Sequence, residues 1–224
     1  MRRNRQLNNR TGTDTLLLDM DGVVLDSMRF HVAAWLTALS EHGFQVNEEI
    51  LYLYEGAIEP RIAVELFSAE GHTMNQETFH SVLTRQKEIF VSDFSHQVKP
   101  FPEIPDMLEC MKRKGMTLAL VTSSHGEILD AVLPGHISSF FDKIITGDQV
   151  KKRKPHPEPY VVAMTALGVK ANGGAAAVEN APAGIRSAKA AGLHTIAITT
   201  TLPVHHLKDA DEIISRHNQL MDIL

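Results

Sequence analysis

Residues 16–28 read LLLDMDGVVLDSM, an apolar run that ends in two carboxylates, Asp19 and Asp21. Gly22 follows directly, and Asp26 and Ser27 come soon after. A single Asp after a strand starts a turn and needs no further reason. Two acids at i and i+2 of an extended chain point to the same side, because strand side chains alternate. Charges of one sign that close repel unless something positive lies between them. A metal ion or a bound phosphate with its counter-charges supplies that relief. Gly22 permits a sharp turn behind the pair. The spacing therefore predicts a strand end built for chemistry.

Three further stretches have the same form. LALVTSS ends in Thr122, Ser123 and Ser124, whose hydroxyls suit a phosphate, although Ser and Thr also serve as helix caps. In KKRKPHPEPY four basic residues, 151–154, meet prolines at 155, 157 and 159. A stiff turn of that kind fixes one lysine in place, and Lys154, beside the first proline, is the candidate. In AAAVENAP a small apolar strand ends in Glu179 and Asn180, hard oxygen donors of the kind Mg²⁺ takes.

The elements that must position these residues are legible as alternation. Strand-like apolar runs fall at 15–18, 117–122, 143–145, 175–178, 195–198 and 212–214. Helical patterns at 105–114, 158–167 and 181–191 each stop at a glycine. Strands apolar throughout, alternating with helices, predict a parallel sheet covered on both faces, a Rossmann-like α/β core. Residues 28–96 break the rhythm with helical patterns alone, at 28–42, 48–54, 60–69 and 76–90. An all-helical insertion after the first strand would sit over the carboxyl ends of the strands as a lid. The expected division is a tail over 1–13, a core of 14–28 and 99–224, and a helical cap over 29–98.

Composition narrows the function. The net charge of −5 gives no general case for nucleic acid or an anionic membrane as partner. No apolar run is long enough to span a bilayer. The one cysteine, Cys110, cannot form an internal disulfide, which suits a cytoplasmic protein. The twelve histidines include no zinc-type spacing.

Taken in order, DMDGVVLDS, VTSS, KPHPEPY and VENAPAGIRSAKAAGL resemble the four motifs of the haloacid dehalogenase (HAD) superfamily of phosphohydrolases, and the helical insertion resembles its cap. The resemblance implies the roles. Asp19 would be the nucleophile that forms an aspartyl-phosphate, and Asp21 the general acid and base. Mg²⁺ would be held by Asp19, the backbone carbonyl of Asp21, and Asn180, with Glu179 close to it. Thr122 and Ser123 would hold the transferring phosphoryl, and Lys154 would offset charge on Asp19. Proximity to Asp19 would raise the pKa of Asp21.

Asp21 sets the chain apart from the dehalogenases, whose halide leaving group needs no proton. DGVxxDS, His31 and Trp35 resemble β-phosphoglucomutases and related sugar phosphatases. His31 reads as structural or active-site, and Trp35 as core. Where those mutases carry Lys-Gly for a second phosphate, this chain has Glu55-Gly56. Glu55 with Asn180 resembles a pyrophosphatase-like branch, in which a cap glutamate reaches the metal. The expected activity is Mg²⁺-dependent hydrolysis of a small phosphorylated metabolite, pyrophosphate being the leading candidate. A sugar-phosphate phosphatase or a phosphomutase is the alternative.

Overall fold

The computed structural model describes residues 13–54, 57, 74–170 and 174–224. Six strands, β1 (Thr15–Leu18), β2 (Thr117–Val121), β3 (Lys143–Ile145), β4 (Ala175–Glu179), β5 (His194–Ile198) and β6 (Glu212–Ile214), form one sheet in the order β3-β2-β1-β4-β5-β6. Every neighbouring pair is parallel. The strand order reverses at β1, which lies between β2 and β4. In such sheets the crevice at the switch point, outside the carboxyl ends of the strands, is where ligands bind.

The four central strands, β1, β2, β4 and β5, are almost wholly buried and largely apolar because both faces are covered. Leu16 and Leu18 of β1 join a large cluster with Leu118, Leu120 and the helix Ile104–Arg113, while Leu17 joins Tyr160, Ala163 and Met164 on the other face. Three alanines in β4, Ala175, Ala176 and Ala177, are buried and admit close helix packing.

The expected core helices are present as Ile104–Arg113, Glu158–Leu167 and Pro182–Ala190, the second closed by Gly168 in the left-handed region. Two short helices, Gly126–Val132 and Gly135–Ser138, were not expected; at seven and four residues they are too short to print a periodicity.

The helical cap packs Met28–Glu41 against Gln76–Ile89, with Trp35 stacked on Phe79 at 6.4 Å between centroids. Asn75 starts the second of these by accepting the Thr78 N–H at 2.8 Å. Its far end continues through one π-helical stretch, Phe90–Phe94, in place of a clean stop at residue 90. The helix Glu48–Tyr54 matches its expected bounds, whereas the expected helix at 60–69 lies outside the described residues. Chain entry and exit run side by side: Leu25 bridges Pro100, and the Asp26 N–H donates to the Lys99 carbonyl at 2.9 Å. No described helix is long and apolar enough to cross a membrane.

Candidate active site

The four stretches singled out in sequence meet at the carboxyl edge of the sheet. Asp19 continues the β1 ladder by one residue, its N–H donating to the Val178 carbonyl at 3.0 Å. The chain then turns, with the N–H groups of Val24 and Leu25 both on the Met20 carbonyl at 2.9 Å. Asp21 therefore lies in a turn, not in continued strand as its spacing suggested. Gly22, at φ 81°, makes that turn and also leaves space, since a Cβ there would fall 2.1 Å from Asn180 Nδ2.

Lys154 is the centre of the buried network. Its ammonium donates to Asp19 Oδ1 at 2.6 Å, Glu179 Oε1 at 2.7 Å and the Val121 carbonyl at 2.8 Å, which uses all three of its donors. Burial works against that charge, but Asp19 and Glu179 outweigh it and hold the Lys154 pKa above its ordinary value. Glu179 is committed in turn. Tyr160, fully buried, donates its hydroxyl to Oε1 at 2.5 Å, and Oε2 accepts the Asn180 N–H at 3.3 Å. Gly184 stands against this carboxylate so closely that a Cβ would lie 2.0 Å from Glu179 Cδ.

The second acid is held separately. Asp21 Oδ1 accepts from Ser27 at 2.6 Å and pairs with His31 Nε2 at 3.1 Å; Oδ2 accepts from Ser124 at 3.0 Å. The His31 ring is stacked on Phe90 at 3.9 Å, so the cap fixes the histidine that touches Asp21. Burial pushes the Asp21 carboxyl up, but the charge of His31 and the hydrogen bonds of His31, Ser27 and Ser124 bring it below the usual range. Asp19 moves the other way. Burial, with Glu179 and Asp21 adding to it, pushes its carboxyl up to about 8 against the pull of Lys154. The expected direction for the pair is thus reversed: burial weighs on both carboxyls, and the donors gathered on Asp21 outweigh it there, whereas Lys154 does not outweigh it at Asp19.

Of the remaining expected residues, Thr122 Oγ1 accepts the Ser124 N–H at 2.9 Å and lies 3.5 Å from Asp21 Oδ2. The Ser123 hydroxyl is buried with no hydrogen-bond partner among the described residues. An orphaned donor on a cavity wall suits a ligand oxygen. Glu55 lies outside the described residues. Sequence reading named Ser27 and Ser124 without their contacts to Asp21, and gave Tyr160 and Thr201 no part. The two serines and Tyr160 stand inside the quoted motifs, so their signal was present; Thr201 stands outside them, with nothing in its spacing to mark it.

A cavity of about 100 Å³ opens over Asp19, lined also by Asp21, His31, Ser123, Lys154 and Asn180. That is well below the size of a drug-sized ligand site. Asp19 and Glu179 share the single Lys154 ammonium, and Asp21 stands beside them on Ser27, His31 and Ser124, so this end of the cavity is rich in acid and a divalent cation would balance it. Asp19 Oδ2 and Asn180 Oδ1 accept no hydrogen bond from a described residue, and both are hard donors that fit Mg²⁺. Among the described residues no three His, Cys, Asp or Glu side chains converge on one metal position. A magnesium site of few protein ligands, completed by substrate oxygens and water, has that character.

Comparison with known proteins places the chain in a family. A family model described as haloacid dehalogenase-like hydrolase matches residues 16–198. The fructose-1-phosphate phosphatase YqaB of Escherichia coli (strain K12) is 27% identical over 183 residues, 81% of this chain and 94% of that protein. Pyrophosphatase PpaX of Oceanobacillus iheyensis is 30% identical over 156 residues, 69% of each chain. The structure of β-phosphoglucomutase from Clostridium difficile, at 22% identity and a TM-score of 0.76 over 93% of each chain, shares the fold.

Proposed function

Because this chain belongs to the haloacid dehalogenase-like hydrolases, we propose that it is a Mg²⁺-dependent phosphohydrolase acting through an aspartyl-phosphate on a small phosphorylated substrate, with pyrophosphate the leading candidate. The observation that carries the reading is Asp19, with one carboxylate oxygen fixed by Lys154 at 2.6 Å and the other uncommitted beside the cavity. Relatives named as a pyrophosphatase and as a fructose-1-phosphate phosphatase support release of phosphate as the outcome. Residues 29–98 act as a cap over a core of 14–28 and 99–224. Unpaired Cys110 suits a reducing, cytoplasmic setting.

In this reading Asp19 Oδ2 attacks phosphorus while the bond from phosphorus to the leaving oxygen breaks, and Asp21, which is held below the usual range in the free protein and must take up a proton in the substrate complex, gives that proton to the leaving oxygen. Asp21 then takes a proton from water as the water attacks the phosphorus of the aspartyl-phosphate. Phosphate leaves and the Asp19 carboxylate is restored. Ser123 and Thr122 hold the phosphoryl oxygens, and Lys154 keeps Asp19 Oδ1 in place so that Oδ2 points at phosphorus. Bound Mg²⁺ would supply positive charge to Asp19 and to the phosphoryl oxygens. Asn180 and the Asp21 carbonyl, with Asp19, would hold it, and Glu179 acts beside it by anchoring Lys154.

The test is phosphate release from pyrophosphate, phosphoglycolate, hexose phosphates and nucleotides, with Mg²⁺ and after chelation, in the parent and in Asp19→Asn. Turnover is expected to need both the metal and Asp19. Equal turnover after exhaustive chelation would remove Mg²⁺ from the account. A mutase reading has support in the fold shared with β-phosphoglucomutase. A coupled assay for glucose 6-phosphate formed from β-glucose 1-phosphate separates it from hydrolysis.

A further inference from the structure

The cavity has a second charged wall that the phosphoryl-transfer chemistry leaves unused. Lys87, on the cap helix Gln76–Ile89, lines it together with His125 and Arg153 of the core. The Arg153 guanidinium donates to His125 Nε2. A guanidinium has no acceptor atom, so Nε2 must accept without a proton, which keeps the imidazole neutral and leaves Lys87 and Arg153 as the charged groups. The basic side chains Arg29, Arg85, Lys112, Lys154 and Lys189 each pair with a carboxylate. Lys87 and Arg153 have no such partner among the described residues. Burial, then the charge of Arg153, pulls the Lys87 pKa down against Glu127, and burial, Lys87 and Arg153 do the same to His125 against Asp148 and Glu127.

Like charges gathered in a partly buried cavity destabilise the protein that carries them. The arrangement is relieved when an anion enters. The phosphoryl group in transfer already has Lys154, Ser123 and Thr122, so this wall is free for another part of the same molecule. Its two charges belong to different bodies, Lys87 to the cap and Arg153 to the core. An anion between them would tie the cap to the core with two charge-assisted contacts.

We propose that Lys87 and Arg153, with His125 as a neutral donor or acceptor beside them, form a cap–core clamp for a second anionic group. The substrate class is then small phosphorylated compounds that carry a further phosphate or carboxylate, as against phosphate esters of neutral sugars. The inference rests on the reading of Asp19 as the phosphoryl-transfer centre. It also gives the basic run 151–154 a purpose beyond placing Lys154.

The experiment compares kcat/KM for pyrophosphate, for phosphoglycolate and for fructose 1-phosphate, which is neutral beyond its phosphate. These are measured at fixed Mg²⁺ and ionic strength in the parent, Lys87→Met, Arg153→Met and the double variant. The parent is expected to favour pyrophosphate or phosphoglycolate by tenfold or more, and which of the two separates a phosphate from a carboxylate as the second group. Each single substitution is expected to lower that preference about tenfold, chiefly through KM, and the double variant to lower it further. Lys87→Arg and Arg153→Lys, which keep the charge, should recover part of it. A parent that prefers fructose 1-phosphate, or a preference unmoved in the double variant, overturns the clamp. If nothing turns over, the catalytic reading fails by itself. Calorimetric titration of pyrophosphate into the parent and the double variant then still decides whether this wall binds the anion.

Discussion

The Asn180 amide can offer a metal either its oxygen or its N–H donors, and only the oxygen suits a cation. Thr201 fixes the choice, because Asn180 Nδ2 donates to its Oγ1 at 2.8 Å and Oδ1 is left for the cavity. Supports of this kind are worth roughly 10–100-fold in metal affinity. Thr201→Val is therefore expected to raise the Mg²⁺ concentration for half-maximal activity at least tenfold, and to weaken Mg²⁺ binding measured by calorimetry without substrate. In an Asn180→Asp background the same change should cost less, since a carboxylate presents an oxygen in either orientation. Equal losses in both backgrounds would make Thr201 a general packing residue. Lys154 is the second residue-scale case. Lys154→Met would leave Asp19 and Glu179 buried together without their counter-charge, a loss on the order of 3–5 kcal/mol. Urea denaturation should show that drop, and kcat should fall by a thousandfold or more.

At the scale of elements, the site depends on how closely strand ends and helix starts approach. Gly184, in the first turn of the helix Pro182–Ala190, lies against the Glu179 carboxylate that ends β4. Gly184→Ala is expected to push this helix from the sheet, with a thermal midpoint several degrees lower and activity lost in parallel. Parental stability and activity in that variant would show that the contact relaxes freely. Asp142 plays a comparable part at the other side of the sheet. It accepts the Leu118 N–H at 2.8 Å and pairs with Lys112 at 2.7 Å. Burial pushes its pKa up, but those two donors outweigh it and leave it lowered. A lowered carboxyl stabilises the fold above its unfolded pKa near 4 and ceases to do so as pH falls through its folded value. Asp142→Asn should thus cost about 1 kcal/mol at pH 7 and lessen the loss of stability below pH 4. The long elements were legible in sequence for a plain reason: a strand buried on both faces is apolar throughout, and the helices stop at glycines. The turn that takes Asp21 out of the strand was not, because Met20, Asp21 and Gly22 fit either geometry until the hydrogen bonds to the Met20 carbonyl are seen.

Across the whole molecule, residues far apart in the chain line one cavity, and sequence reading saw only part of what they contribute. Asp19, Asp21, Thr122, Ser123, Lys154, Glu179 and Asn180 stand at strand or loop ends, where an acid or hydroxyl after an apolar run is conspicuous. Lys87 sits within an ordinary helical pattern, and only the packing of cap on core brings it to the cavity with Arg153. Long-range contacts of that kind have no local signature. The central claim concerns the covalent bond that this assembly makes possible at Asp19. It is tested most directly by rapid acid quench of the Mg²⁺-loaded enzyme turning over ³²P-labelled pyrophosphate, followed by mapping of the labelled peptide. The account predicts label on the peptide that contains Asp19, labile to hydroxylamine as an acyl phosphate is, and none in Asp19→Asn. Steady turnover with label on another residue, or with the Asp19→Asn variant as active as the parent, would contradict it.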